Sequence, residues 1–266
     1  MLTTRLDKKY QLSLNNDYYA CMANELILAR QKTMSIWANR IINFLVMQLV
    51  AEDKDLKTYS VKIKDLAEFV GVSTGNVYED IKNACTEIMQ TVIEISTGNP
   101  KRPWELLHWM SLARYDGEGT LTLSLSEEVK PYLFDLQARG FFTQYQIKEI
   151  LPMSSFYAIR LYQYITMVMN KAKYKLEYVD MEIPFAREFF ECENKYKQIG
   201  EFKKIVIDTA IKQINNNSSS RFWLDKPEYF KTGRVITKVR FYVRSASFIK
   251  ALNGITYQDQ LKFEEL

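Results

Sequence analysis

The first half of the chain alternates between helical and strand-like hydrophobic patterns. Residues 35 to 50 predict an amphipathic helix, because their apolar positions recur at three- and four-residue intervals. An alternating run over Tyr59–Ile63 predicts a strand, and the next segment predicts a helix with Asp65 as N-cap and Gly71 as its stop. A second amphipathic helix then has the inner stripe Val77, Ile81, Ala84 and Ile88. Helix, glycine turn and helix form the skeleton of a helix-turn-helix.

Strand patterns follow this predicted helix-turn-helix. The segment Thr91–Ser96 alternates as a strand does, and residues 98 to 103 have the composition of a loop. Two further strands, Trp104–Tyr115 and Thr120–Leu125, are joined by Asp-Gly-Glu-Gly, which is a strong hairpin signal. A β-hairpin placed directly after a helix-turn-helix predicts a winged helix.

The second half repeats this order of patterns. A helix is predicted over Ser155–Asn170, a strand over Tyr178–Ile183, and a helix over Phe185–Glu191, with Pro184 at a position where a first-turn proline is tolerated. A long helix follows with apolar positions at Phe202, Ile205, Val206, Ala210 and Ile214. Strands at Arg221–Leu224 and Val235–Val243, joined by the basic loop 231–234, are predicted to form a second wing.

A shift of 120 residues aligns Ile63 with Ile183 and Phe69 with Phe189. Because the order of elements is shared as well, the two halves predict a duplicated architecture. We therefore expect an α+β protein with two tandem winged-helix domains, at residues 1–140 and 141–250, and a C-terminal tail at 251–266.

Composition supports a globular chain. Of 266 residues, 47% are hydrophobic and 26% are charged, so the chain can bury a substantial core. The longest apolar stretch, residues 41 to 51, is far shorter than the roughly 20 residues of a membrane span. No secretory pattern opens the sequence, and the three cysteines (Cys21, Cys85, Cys192) lie far apart. We expect a cytoplasmic protein without disulfides, bound metal or membrane contact.

Positive charge is concentrated in one part of the chain. The net charge is only +4, but residues 195 to 250 hold 13 Lys and Arg against 4 Asp and Glu. Such a concentration is typical of a nucleic-acid surface, and it is also compatible with a merely solvated basic face.

Known catalytic patterns are missing from the sequence. The chain has one histidine, His108, whereas a rolling-circle nickase needs paired histidines and a tyrosine recombinase normally sets a histidine beside paired arginines. There is no GxxxxGK[ST] phosphate loop and no GxGxxG run. We therefore predict that the protein is not an enzyme and uses no cofactor.

Three segments carry a family resemblance. The runs Phe142–Tyr145 (FTQY), Ser155–Tyr162 (SFYAIRLY) and Phe202–Asn215 (FKKIVIDTAIKQIN) resemble the iteron-binding Rep initiators of theta-replicating plasmids. The resemblance extends from about Tyr10 to Arg244. It implies a pair of winged helices, with the C-terminal one as main reader of double-stranded origin repeats. It also implies dimers that repress the initiator's own promoter, and host replication initiator and helicase as partners.

Candidate DNA contacts lie mainly in the second module. At about 100° per residue, Lys197, Lys204 and Lys212 share one face of the long helix, opposite Val206; Lys203 points nearer the apolar side and rests on the family motif. The first module offers less positive charge, because Glu79 lies on its exposed face, and it is expected to be the auxiliary binder and the place of dimer contacts. The candidates are Lys195, Lys197, Lys203, Lys204, Lys212, Arg221, Arg234 and Lys238, and in the first module Ser73, Thr74, Asn76, Lys82, Lys101 and Arg102.

Two other interpretations stay open at this point. A winged-helix transcriptional regulator without a role in replication would have the same modules. A partner-binding scaffold whose winged helices no longer touch DNA is disfavoured by the basic region.

Overall fold

A computed structural model describes residues 17–49, 55–71, 75–96, 101, 103–134, 136, 141–173 and 175–245. The first module has four helices and seven strands within this part of the chain. In chain order they are β1 (Tyr19–Ala23), α1 (Asn24–Leu28), β2 (Arg30–Gln31), α2 (Ile36–Met47), β3 (Thr58–Lys62), α3 (Ile63–Val70), α4 (Val77–Gln90), β4 (Val92–Ser96), β5 (Trp104–His108), β6 (Met110–Tyr115) and β7 (Thr120–Leu125).

The second module begins with the strand β8 (Phe142–Gln146), which lies between two short 3₁₀ turns, Glu127–Tyr132 and Ile147–Glu149. Its longest helix, α7, spans residues 199–216 and contains a π-helical turn at Lys203–Asp208 between α-helical Ile199–Phe202 and Thr209–Asn216. The remaining elements are α5 (Phe156–Lys171), β9 (Tyr178–Glu182), α6 (Ile183–Phe189), β10 (Phe222–Leu224), β11 (Glu228–Thr232) and β12 (Val235–Ser245).

The predicted repeat is confirmed element by element. Helices α2 and α5 begin at Ile36 and Phe156, each behind a serine N-cap whose hydroxyl accepts a backbone N–H. Strands β3 and β9, and helices α3 and α6, begin at the same offset of 120 residues. The sheets have equivalent orders, β3-β7-β6 in the first module and β9-β12-β11 in the second. Each module is therefore a winged helix, and the two share one frame, which is the common order of helices and strands at an offset of 120 residues.

The start of helix α3 differs from the prediction, whereas its end agrees. Asp65 is not the N-cap: strand β3 runs directly into the helix, so the cap is Lys62, and the N–H of Ile63 bonds the carbonyl of Gly119 in the first wing at 2.9 Å. Gly71 ends the helix in the left-handed conformation, at φ +74°. A Cβ there would lie 2.8 Å from Nη1 of Arg40, so a larger residue would also require this flexible side chain to shift.

The predicted strand Trp104–Tyr115 is two strands in two sheets. Strand β5 pairs with β4, whereas β6 pairs with β7. The break falls at Trp109, whose buried indole donates to Oε1 of Gln31 at 2.9 Å. Because that side chain turns into the core, the chain leaves one sheet and enters the next.

The second wing also differs from the prediction. Its hairpin consists of β11 and β12 around a two-residue turn, Gly233 and Arg234, so Lys231 and Thr232 end a strand. The predicted first strand is β10, which pairs with the far end of β12. Strand β11 was not predicted because Pro227 and the charged residues beside it break the hydrophobic pattern.

The two modules share a buried interface. Strands β1 and β8 pair antiparallel across it. Arg160 of α5 is fully buried and donates to the carbonyls of Ile27 and Ala29 at 2.7 and 2.9 Å. Burial lowers the pKa of Arg160 to about 9. The equivalent Arg40 of α2 donates to the carbonyls of Val70, Leu151 and Met153.

These reciprocal contacts have a geometric consequence. The central helix of each module places an arginine against the backbone that leads into the other module's central helix. The arginines therefore connect each module to the segment that precedes the other module's central helix. None of the helices described is long and apolar enough to cross a membrane.

Candidate nucleic-acid interface

Helix α7 separates a buried stripe from an exposed charged face. Phe202, Val206, Ala210 and Ile214 are fully buried. Lys204, Asp208 and Lys212 are exposed on the opposite side, as the helical spacing predicted, and Lys197 is exposed just before the helix. Within the described part of the chain, none of the three lysines forms an ion pair. These lysines are therefore available to an external anion, and Asp208 lies among them on the same face.

One apolar position of α7 differs from the prediction. Ile205 was placed with the inner stripe, but it is 39% exposed, and Ile207 is buried instead. At about 100° per residue, Ile205 points about 140° away from Ala210. Its three-residue spacing from Phe202 suggested a buried position, but this angle directs it away from the stripe. It also lies in the π-helical turn, where the hydroxyl of Thr209 bonds the carbonyl of Lys204 at 3.1 Å. Single π turns inside α-helices are frequent at functional sites.

The turn before α7 is held by an arginine that the sequence analysis did not single out. The guanidinium of Arg187 lies 4.6 Å from the ring centre of Phe202. Glu191 and Tyr196 have positive φ angles, which bend the backbone around the guanidinium. Arg187 donates to four carbonyls at 3.1–3.3 Å, those of Cys192, Lys195, Tyr196 and Lys197.

The Arg187 clamp, defined by these four hydrogen bonds, fixes a turn whose Lys195 and Lys197 side chains are exposed. No periodic pattern identifies such a residue, because its partners are backbone oxygens. Arg187 thus supports the predicted interface from inside the protein.

Three of the predicted contact residues have partners within the protein. The ammonium group of Lys203 lies 3.9 Å from the ring centre of Tyr229. Arg221 forms an ion pair with buried Glu149 at 2.8 Å. The third of these residues, Lys238, forms one with Asp180 at 3.0 Å.

These partners change how the three side chains are interpreted. Asp180 also accepts from Nε of Arg240 at 2.7 Å, and this bond, with that from Lys238, lowers the pKa of the Asp180 carboxyl. Much of the positive charge at the base of the second wing is therefore compensated internally. A DNA contact by Lys203, Arg221 or Lys238 stays a prediction.

The tip of the second wing keeps its charge. Gly233 takes φ +61° there, which is the left-handed region that a tight hairpin turn requires. Arg234 follows it and is exposed. Exposed cations of this module therefore lie at the wing tip as well as on the exposed face of α7.

The first module presents a different face. Asn76 and Lys82 are exposed on or beside α4, and so is Glu79 between them; Lys101 is exposed near its wing. Ser73, Thr74 and Arg102 lie outside the described residues. The described face of α4 therefore has one lysine beside one glutamate, whereas α7 exposes Lys204 and Lys212 together with Glu201 and Asp208.

Three observations concern catalytic chemistry. Among the residues that the structure describes, no group of three or more His, Cys, Asp and Glu side chains could hold a metal ion. Cys21, Cys85 and Cys192 are free thiols, and burial raises the pKa of Cys85 to about 12, so it is a poor nucleophile. His108 is an exposed residue at the end of β5.

Comparison with known families identifies both modules. The model of the first winged helix (WH1) of initiator replication proteins matches residues 20–166, which is more than half of the chain. The model of the second winged helix (WH2) matches residues 187–243. This chain belongs to the initiator replication protein family. The resemblance found in the sequence, and the expected pair of winged helices, are thereby confirmed.

Several proteins are similar to this initiator-family chain. A replication initiation protein of Escherichia coli is 25% identical over 171 residues, which cover 64% of this chain but only about half (52%) of that protein. An uncharacterised 27.6 kDa protein of Escherichia coli is 24% identical over 221 residues, 77% of this chain and 88% of that one. A solved structure described as the Pi initiator protein in complex with iteron DNA matches with a TM-score of 0.64 and 19% identity, over 87% of this chain and 99% of that one.

Proposed function

We propose that this protein is a plasmid replication initiator that binds repeated origin DNA sequence-specifically and starts replication. The observation that carries the proposal is the exposed face of α7, where Lys204 and Lys212 lie opposite a fully buried stripe. A helix with that arrangement can enter a major groove while its apolar side stays packed. The initiator family and the Pi structure, described with iteron DNA, support this function.

We assign the main reading role to residues 141–250 and an auxiliary role to residues 1–140. The concentration of positive charge in residues 195 to 250 supports this division. The tail 251–266 lies outside the described residues.

The proposal is tested by selecting duplexes from a random-sequence pool with the full-length protein. We expect enrichment of one repeated motif, and a log affinity that falls linearly with log salt. A plasmid that carries this motif in its origin should then replicate only when the protein is supplied. Failure to enrich any motif contradicts sequence-specific binding, whereas enrichment without replication would make the protein a transcriptional regulator.

The proposed initiator has no catalytic step of its own. Purified protein should neither nick supercoiled DNA carrying the selected motif nor hydrolyse ATP, with or without magnesium. A covalent protein–DNA adduct would overturn this part of the proposal. Opening and copying of the origin then depend on a host replication initiator and a helicase in the cytoplasm, which the protein would recruit.

Self-association is assigned to the first module. Strand β5 pairs with β4 and with no other described strand, and its Trp104 and Leu106 are 57% and 55% exposed. An apolar strand at a sheet edge favours pairing with a second copy. Dimers formed there would bind the protein's own operator and repress its promoter.

Changing Leu106 to Glu tests this assignment. The variant should shift the protein toward monomer in sedimentation experiments and weaken repression of a promoter reporter. Unchanged self-association would place the dimer contact elsewhere.

A further inference from the structure

An isoleucine lies in the exposed charged face of the recognition helix. Ile205 is 39% exposed, and its neighbours one helical turn away, Glu201 and Asp208, are both exposed and charged. A single exposed apolar residue is ordinary on a protein surface. This one is notable because it lies on the face that the proposed function sets against DNA.

The position of Ile205 along α7 suits contact with bases. The helix begins at Ile199, so Ile205 lies about 9 Å from its start, at a rise of about 1.5 Å per residue. The N-terminal part of a recognition helix is the part that reaches base edges in the major groove. Lys204, the adjacent residue, is exposed on the same face.

Packing within the module leaves part of Ile205 uncovered, at 39% exposure. Val206 and Ile207 are fully buried and fill the core beneath the π-helical turn. The side chain of Ile205 is directed away from that core. Its apolar surface is therefore available to a ligand that presents an apolar group.

Thymine is the base that presents such a group in the major groove, as its C5-methyl. We propose that Ile205 is a specificity-determining residue that packs against the C5-methyl group of a thymine in the bound DNA. The inference rests on the proposed function, since it requires α7 to enter the major groove. It adds an apolar contact to the charged contacts that the sequence predicted.

Deoxyuridine tests the contact, because it differs from thymidine only in lacking that methyl group. The probes are the duplexes selected by the full-length protein, with each thymine replaced singly by deoxyuridine. We expect one or two positions at which the wild-type protein binds about fourfold more weakly, as the loss of one buried methyl group predicts. Ile205→Ala should bind the thymine and deoxyuridine duplexes equally at those positions.

Two variants serve as controls. Ile205→Val retains a branched apolar side chain and should keep most of the discrimination. Val235 is 65% exposed at the wing tip of the same module, and Val235→Ala should keep the full penalty at the positions assigned to Ile205. Thermal unfolding of each variant should remain close to that of the wild type.

The outcomes separate this inference from the proposed function. If Ile205→Ala retains the deoxyuridine penalty, or if no thymine shows one in the wild type, Ile205 does not read a methyl group although the protein binds DNA. If the pool yields no enriched motif, sequence-specific binding itself fails. The contact is established if Ile205→Ala binds the thymine and deoxyuridine duplexes equally while the wild type and Val235→Ala still discriminate between them.

Discussion

The two winged helices share one frame and differ in the face that each recognition helix exposes. Both modules place a serine-capped central helix, a strand and a short helix at the same offset of 120 residues. Yet α4 exposes Glu79 beside Lys82, whereas α7 exposes Lys204, Lys212 and Ile205 together with Glu201 and Asp208. Because the buried stripes define the fold and the exposed faces define the ligand, duplication of the fold has not duplicated the binding surface.

The equivalent arginines of the central helices also differ between the modules. Arg160 is 1% exposed and its guanidinium lies 4.0 Å from the ring centre of Phe189. Arg40 is only partly buried. The second module's arginine is therefore the more fully desolvated of the two, and the comparison can be tested by removing each in turn.

The largest effect is expected for Arg160→Ala. The substitution leaves the carbonyls of Ile27 and Ala29 without their donor and opens a cavity, although it also removes a desolvated charge. We expect the free energy of unfolding to fall by about 3 to 4 kcal/mol in urea denaturation. The matched variant Arg40→Ala should cost about 1 kcal/mol, because water can replace the lost hydrogen bonds. Equal losses would show that the two arginines are interchangeable supports.

The next effect concerns DNA affinity. Lys204→Ala should weaken binding to the selected duplex roughly 5- to 100-fold if Lys204 reaches a base edge, with little change on scrambled duplexes. The equivalent test in the first module, Lys82→Ala, should change affinity by less than about twofold, because Glu79 lies on the same exposed face. Fluorescence anisotropy at two salt concentrations measures both. A uniform loss for Lys204→Ala on all sequences would indicate a phosphate contact instead.

A smaller effect is expected from the Arg187 clamp. Arg187→Ala should lower affinity about fivefold by releasing the turn that presents Lys195 and Lys197, an indirect effect typical of coupled neighbours. If Arg187 acts only through those lysines, the substitution should have no further effect in a Lys195→Ala/Lys197→Ala background. An additional fivefold loss in that background would assign Arg187 a separate role. Thermal unfolding of each variant separates loss of positioning from loss of fold.

The sequence predicted the frame well because the frame depends on local periodicity. The stripe of α7 and the exposure of Lys204 follow from spacing alone. The break at Trp109 depends on a contact with Gln31, which lies 78 residues away in the chain. Such long-range contacts leave no periodic signal.

The same limit applies to the candidate interface. Arg221 and Lys238 were chosen as basic residues near the recognition helix and wing, but their partners Glu149 and Asp180 lie 72 and 58 residues away. Charge counted along the chain cannot distinguish a paired arginine from an exposed one. Ile205 shows the opposite error. The hydrophobic pattern assigned it to the core, but the structure exposes it.

The smallest expected effect addresses the difference between α4 and α7 most directly. The first module would be an auxiliary binder if Glu79 repels phosphates. Glu79→Gln should then strengthen binding of the full-length protein by about twofold. The effect is modest because a single charge on an exposed face interacts weakly. The gain should shrink as salt increases, because screening weakens the repulsion that the substitution removes. Glu128→Gln, at an exposed site in the 3₁₀ turn Glu127–Tyr132 of the same module, provides the control for net charge alone. An equal gain from both substitutions would mean that overall charge, rather than the position of Glu79, limits the first module. A gain from Glu79→Gln alone would place the face of α4 close to the DNA backbone.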